Sequence, residues 1–321
     1  MKEAVAALRG AKRIGIVSHR DPDGDTIGSA VALALALDQL GKRVTLHCAD
    51  PVPDSFRFIP GGDRFVREAP GEVDLVVTVD HGDRSRAKLT LPGVPLLNID
   101  HHASNDLFGD INFVDPTSAA TGEMIARVVD ALEVPWTAPL ATAILLAVMT
   151  DTGSFQFPNT DARTLRVAAR ALEAGADLPA ITYNVYRSRR AEAMKLWGIA
   201  LARLERDTRG ELVWTWLEER DLSTAGARQE DVSGLVEQVA RSTGNRLALL
   251  FNATEPGRVR VSARTSPFEP SVDAAALMGA FGGGGHARAA GGIVPGSLPE
   301  VRERVLAAAR SAIEAARAAV A

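Results

Sequence analysis

Cysteine is nearly missing: Cys48 is the only one among 321 residues. A single thiol excludes a disulfide framework and any zinc or iron–sulfur site built from the cysteines of one chain, so a bound metal must be held by histidines and carboxylates. Histidine is itself scarce, present only as His19, His47, His81, His101, His102 and His286. There is no basic excess either. With 36 Lys+Arg against 40 Asp+Glu the formal charge is -4, which argues against holding long duplex nucleic acid by bulk electrostatics and leaves short or small anionic ligands. Lysine is limited to Lys2, Lys12, Lys42, Lys88 and Lys195. Arginine therefore carries nearly all the positive charge, and the mere presence of an arginine says little. Long apolar runs are absent: Ala138 to Met149 is interrupted by Pro139 and Thr142 and falls short of the roughly 18 residues of a membrane span. The N-terminal ten residues lack the apolar core of a signal peptide. The expectation is a soluble, cytoplasmic protein with no membrane partner.

What is present is enough apolar material, 46% hydrophobic against 24% charged, to bury cores and exclude disorder. At roughly 150 residues per domain the length suggests two domains. The first half alternates β-branched runs with amphipathic stretches, the pattern of a parallel sheet covered on both faces. Arg13 to Ser18, Arg43 to His47, Val73 to Val79 and Pro95 to Ile99 read as strands. Thr26 to Leu40, Ala119 to Leu132, Pro139 to Met149 and Asp161 to Ala174 read as helices. Three of the strands run into polar clusters, SHRDPDGD, DHGDRSR and DHHASND, and in open α/β sheets ligands bind beyond the carboxyl ends of strands. A charged, helix-prone segment from Tyr186 to Ala202 reads as a connector. Beyond it, strands are expected at Glu211 to Trp216, Leu247 to Asn252 and Arg258 to Ala263, with helices near Val232 to Arg241, Val272 to Ala280 and Leu298 to Ala319.

The polar clusters carry the chemistry. His19, Asp23 and Asp25 lie just past a buried strand, where carboxylates two residues apart can face neighbouring metal positions; the competing reading is an Asp-rich turn with Asp25 capping the next helix. Asp80 follows an apolar run that leaves a carboxylate only solvent or a cation to meet. Asp100-His101-His102 ends another strand, with Asp100 placed to orient an imidazole. Asp151 ends an apolar helix, where a carboxylate opposes the helix dipole and calls for an electrostatic partner. Two imidazoles and four carboxylates suit manganese or magnesium. Two cations about 3.5–4 Å apart can activate a water and neutralise charge building on a phosphoryl group. Late in the chain, FGGGGHARAAGG (Phe281 to Gly292) offers glycine amides to an anion, His286 directly after them, and a small-residue helix to follow. Arg264 ends a strand from which it could meet a phosphate.

Taken in order, H-x-x-x-D-x-D at His19, Asp23 and Asp25, the strand-end Asp80, Asp100-His101-His102, Asp151 and GGGGHARAAGG resemble the DHH phosphoesterases, and the last motif resembles that of the DHH-associated C-terminal domain. The resemblance spans nearly the whole chain through five spaced motifs. It implies an α/β architecture: a parallel-sheet DHH domain (1–185), a helical linker (186–203) and a smaller α/β DHH-associated domain (204–321), with the active site in the interdomain cleft. By resemblance His19 and Asp23 hold one Mn²⁺, Asp25, His101 and Asp151 hold a second, and Asp80 bridges them; Mg²⁺ and Co²⁺ are the other cations in view. His102 contacts the scissile phosphate and Asp100 supports the histidine pair, so that Asp80, Asp100 and His102 form the catalytic set. Arg264, Gly284, Gly285 and His286 bind substrate.

Length and domain content are most similar to the NrnA-like group, whose resemblance implies hydrolysis of short oligoribonucleotides to 5′-mononucleotides and dephosphorylation of 3′-phosphoadenosine 5′-phosphate (pAp) to AMP. A cyclic-di-AMP or pApA phosphodiesterase and a single-strand-specific DNA exonuclease are the alternatives, and a homodimer is allowed. RecJ-type exonucleases carry an additional oligonucleotide-binding domain for which there is no room, and family II pyrophosphatases lack the GGGGH signature. A nucleotide-sensing module without activity would lack at least one metal ligand, and none is missing. The chain departs from the family pattern at His81, where a small or hydroxyl residue is expected, and in its arginine-rich surface.

Overall fold

The computed structural model describes residues 1–266 and 272–319 of the chain, which divides into two compact units, Met1–Ser188 and Arg189–Ala321. In the first, α1 (Lys2–Gly10), β1 (Arg13–Ser18), α2 (Gly24–Gln39) and β2 (Arg43–His47) are followed by β3 (Phe65–Val66), β4 (Leu75–Val79), β5 (Leu96–Asp100) and β6 (Ile111–Val114). Helices α3 (Thr121–Ala131), α4 (Ala138–Asp151), α5 (Ala162–Glu173) and α6 (Leu178–Ile181) complete it. The six strands lie in the order β3-β2-β1-β4-β5-β6, all pairs parallel. The order reverses between β1 and β4, and that switch point is where an open parallel sheet leaves a crevice at its carboxyl end.

Alternate residues of the central strands divide the packing. Ile14, Ile16, Leu75, Val77, Val79, Leu97 and Ile99 join the buried residues of all six helices in one core. Helices α2 and α4 are apolar nearly all round because they are buried nearly all round. Among the described residues the helices of this unit pack on one face of the sheet. Val17, Val76 and Leu96 on the other face pack with Ala87, Leu89, Leu91, Val94 and Phe108, a covering segment with only a 3₁₀ turn, Arg84–Ala87.

The second unit holds α7 (Ala191–Ala202), β7 (Glu205–Arg206), β8 (Leu212–Leu217), α8 (Glu219–Ala225), α9 (Leu235–Ala240), β9 (Leu247–Glu255), β10 (Arg258–Thr265), α10 (Ala274–Gly279), β11 (Gly284–His286), β12 (Ala289–Pro295) and α11 (Leu298–Ala318). Its sheet runs β11-β12-β10-β9-β8-β7 and is mixed, with β8 and β9 parallel and the other pairs antiparallel. Both units are thus α/β. The helix read as a connector, α7, is built into the second unit: Leu196, Trp197 and Ala200 are buried with Leu217, Leu235 and Leu250.

No small-residue helix follows the glycine run. Gly284, Gly285 and His286 pair with Gly291, Ala290 and Ala289 in a tight β-hairpin. The glycines are there because backbone meets backbone: a Cβ on Gly283 would lie 2.6 Å from the Gly291 carbonyl, and one on Gly285 2.5 Å from that of Ala289. Among the described residues no helix is long and apolar enough to cross a membrane.

Candidate active site

The switch point gathers the first-half motifs. His19 follows β1, Asp80 follows β4, Asp100 and His101 stand at the end of β5, and Asp151 is the last residue of α4. His19 donates from Nδ1 to the Arg20 carbonyl at 2.7 Å. That acceptor holds one ring proton on Nδ1 and turns Nε2 to the carboxylates, 3.2 Å from Asp80 Oδ2 and 3.7 Å from Asp23 Oδ2. His101 repeats the arrangement: Nδ1 faces the Ser118 carbonyl at 3.3 Å, and Nε2 lies 3.5 Å from Asp151, 3.6 Å from Asp80 Oδ1 and 3.9 Å from Asp25. A backbone carbonyl behind the far nitrogen is the usual support of a metal-ligating histidine.

Asp23, not Asp25, caps the helix. Its side chain accepts from the amides of Asp25 and Thr26 at 3.1 and 3.0 Å, as an extended residue one position outside α2 can. Asp25 lies within the first turn, and its carboxylate accepts from Thr121 N at 2.7 Å, Gly122 N at 2.9 Å and Ser29 Oγ at 3.0 Å. The first amides of α3 thus hold a buried anion where the helix dipole favours one.

Asp80 takes a left-handed backbone (φ 65°), uncommon outside glycine and a mark of functional strain. The twist turns its two oxygens apart, Oδ2 to His19 and Oδ1 to His101 and Thr121 Oγ1, the last at 3.0 Å. Two groups result that could each hold a cation, His19/Asp23/Asp80 and Asp25/His101/Asp151, the donor atoms in each lying within 4.8 Å of one another. His102 stands 3.6 Å from Asp80 through Nδ1, but that nitrogen donates to Asp100 Oδ1 at 2.6 Å and so is closed to a metal. Asp100, fully buried, is braced in turn by Asn105 at 2.5 Å.

The electrostatics ask for positive charge. Burial pushes Asp25 well above the usual carboxylate range, with Asp80 and Asp151 adding to it. Burial likewise raises Asp151 to about 7 although His101 pulls it down. At His19 burial opposes the charged ring, yet Asp23 and Asp80 outweigh it and push it up to about 10; at His101 burial is overcome by Asp151, Asp80 and Asp25, reaching about 9. Asp80 is held far below its ordinary value against burial by those histidines. Four carboxylates, of which Asp25 and Asp80 are buried, facing two imidazole nitrogens fit a pair of divalent cations. By contrast, His47 is satisfied by Glu68 O and Thr45 Oγ1 away from the site. His81 is buried beside it with Nδ1 on Val79 O and Nε2 unpartnered.

The second-half residues form their own constellation. In antiparallel register, directly opposite residues share a face, so Arg264, Ala289 and His286 make one row and Ser262, Gly291 and Gly284 the next. Arg264 and His286 therefore flank a floor of alanine and glycine. Nothing meets a Cβ placed on Gly284, whereas Gly285 turns to the other side. The Arg264 guanidinium is set by Glu237 Oε1 at 2.7 and 3.0 Å and by the Ala263 carbonyl. Thr121, Asn105 and Glu237 escaped the sequence reading; only the Thr-Gly opening of α3 hinted at the first.

Family comparison decides what this arrangement belongs to. Residues 13–148 match the DHH family N-terminal domain and residues 216–315 the DHHA1 domain. The chain belongs to the DHH family. Its DHH domain carries the two donor groups and its DHHA1 domain the Arg264–His286 face. It is 37% identical over 96% of its length, and 92% of the other chain, to the bifunctional oligoribonuclease and PAP phosphatase NrnA of Thermus thermophilus. To the NrnA of Bacillus subtilis it is 26% identical, with 86% of this chain and 88% of that one covered. An exopolyphosphatase-related protein from Bacteroides fragilis shares the fold with a TM-score of 0.87 at 21% identity, covering 98% and 95% of the two chains.

Proposed function

We propose that the chain is a Mn²⁺-dependent hydrolase that degrades short oligoribonucleotides to 5′-mononucleotides and converts pAp to AMP in the cytoplasm, with a homodimer among its allowed assemblies. The observation that carries the proposal is Asp80, whose two oxygens face two separate donor groups. His19 and Asp23 would hold one cation, Asp25, His101 and Asp151 the other, and Asp80 both. Bound there, two cations supply Lewis-acid neutralisation of phosphoryl charge and a water acidic enough to ionise near neutral pH.

The chain's own residues do the rest. Thr121 and the α3 amides keep Asp80 and Asp25 from turning away. Asp100, an acceptor only, keeps the proton of His102 on Nδ1 and so aims the opposite ring edge at the scissile phosphate. Arg264, Gly284, Gly285 and His286 hold the remainder of the substrate, Gly285 through the hairpin backbone. The names of both NrnA relatives support the substrate pair, and the modest net charge suits substrates held by a few local contacts rather than by a long basic track. The test is an activity panel with Mn²⁺, Mg²⁺ or Co²⁺ on a diribonucleotide, pAp, cyclic-di-AMP and short single-stranded DNA. Cleavage of the first two ahead of the others is expected; preference for the cyclic dinucleotide or for DNA would replace the substrate assignment.

A further inference from the structure

The segment after Asp151 is built more tightly than a connection requires. Gly153, Ser154 and Phe155 all take left-handed backbone, at φ 54°, 60° and 65°, and for a residue as bulky as Phe155 that is a genuine outlier. Strain of this kind persists where the surroundings over-determine it and gathers at functional sites. Here the surroundings are visible. Thr152, fully buried, accepts at its carbonyl from Gln156 N and Phe157 N at 3.0 Å each and at Oγ1 from Phe155 N at 3.1 Å. Ser154 N returns to the Met149 carbonyl at 2.7 Å. Asn159 donates to the Asp151 carbonyl at 3.1 Å and to that of Ala119 at 2.9 Å.

The product of this winding is Phe157. Phe155 packs against the core of the unit, whereas Phe157 stays 50% exposed. Its ring lies on Gly153 so closely that a Cβ there would come within 2.5 Å of Cζ, so glycine is needed to seat it. Gly153 is two residues from Asp151, its Cα within about 7 Å of that of the carboxylate-bearing residue. A half-exposed aromatic face is thus seated on a glycine two residues beyond Asp151, one of the carboxylates grouped as a candidate cation site.

We propose that Phe157 is a stacking platform for the nucleobase of the nucleotide whose phosphate is cleaved. The proposal rests on the reading of the site as a nucleotide phosphoesterase and deepens it. The cation groups grip phosphate and are blind to what the sugar carries, whereas an aromatic face rewards any base, because every base has a π-face. Recognition would therefore be tolerant of sequence yet demand a base.

The test compares wild type, Phe157→Ala and Phe157→Trp by two readouts. One is quenching of 2-aminopurine fluorescence in a dinucleotide whose bridging oxygen is replaced by methylene, so that it binds without being cleaved. The other is kcat and KM for pAp and for its abasic counterpart. Phe157→Ala is expected to lose the quenching and to drop roughly ten- to a hundred-fold in kcat/KM on pAp, through KM, with the abasic compound changed less than about twofold; Phe157→Trp is expected to restore both readouts. Equal losses on the two substrates, or quenching retained in Phe157→Ala, overturn the proposal. Wild type that cleaves neither substrate overturns the parent reading instead, an outcome visible before any variant is compared.

Discussion

Asp80 occupies a left-handed backbone position at a strand end and shares its carboxylate between His19 and His101. Asp80→Ala should abolish turnover of diribonucleotide and pAp alike while far-UV circular dichroism stays unchanged; selective loss of one substrate would argue against a shared cation pair. Thr121→Val removes the hydroxyl that braces Asp80, and loss of such a supporting group typically costs about 10–100-fold in metal affinity or activity. Titrating Mn²⁺ against activity should show that loss mainly as a weaker apparent affinity. His286→Ala should instead raise KM severalfold with the Mn²⁺ titration unmoved, and an equal loss of metal would contradict its assignment to substrate. That His19, Asp23, Asp25, Asp80, His101 and Asp151 gather in the fold was legible because they lie in the polar stretches that follow apolar runs. Thr121 and Asn105 were not, since threonine and asparagine occur in every loop and only three-dimensional contact shows which carboxylate they brace.

Helices α2 and α4 pack so closely that a Cβ on Gly28 would lie 2.5 Å from the Ala143 carbonyl and 2.9 Å from Ala147 N. Backbone cannot yield as a side chain can. Gly28→Ala should therefore destabilise by about 1–3 kcal/mol, the usual cost of overpacking, despite alanine's better helix propensity; urea denaturation followed by circular dichroism checks it. Because Asp25 projects from the first turn of α2, activity should fall as well. The long elements were readable from periodicity: Arg13–Ser18 and Arg43–His47 lie where the apolar runs lie. The two-residue β3 and four-residue β6 were not, being too short to show a period. The glycine run misled in one respect: its small residues suggested a helix to follow, whereas they continue into the β11–β12 hairpin, where Gly283 and Gly285 let the two strands approach, a need that only the paired backbone shows.

On the scale of the whole protein, the cluster of buried histidines and carboxylates ties stability to pH. His19 and His101, raised to about 10 and 9 in the fold, add stability that is fully present below their unfolded value near 6.5 and lost as pH rises through 9 to 10. Asp151, raised to about 7, favours the fold only while protonated, so its contribution also declines as pH rises from about 4 to 7. The metal-free protein should thus melt at a lower temperature at pH 9 than at pH 6. Cations displace those protons, so the rise in Tm on adding Mn²⁺ should grow with pH. Differential scanning fluorimetry in EDTA and in excess Mn²⁺ measures both. A Mn²⁺ effect that shrinks as pH rises would contradict the linkage.

The two-unit, α/β organisation was visible from length and from the order of strands and helices. The role of α7 was not, because a charged, helix-prone stretch reads alike whether it spans a gap or, as here, buries Leu196 and Trp197 in a core. A single assay decides whether one pair of cations around Asp80 serves the hydrolysis of both a phosphodiester and a phosphomonoester. Wild type and Asp80→Asn are given diribonucleotide and pAp, each with Mn²⁺ and with EDTA. Wild type should turn over both substrates only with Mn²⁺, and Asp80→Asn should turn over neither. Turnover of either substrate by wild type in EDTA, or by Asp80→Asn with Mn²⁺, would rule out a shared cation pair at Asp80.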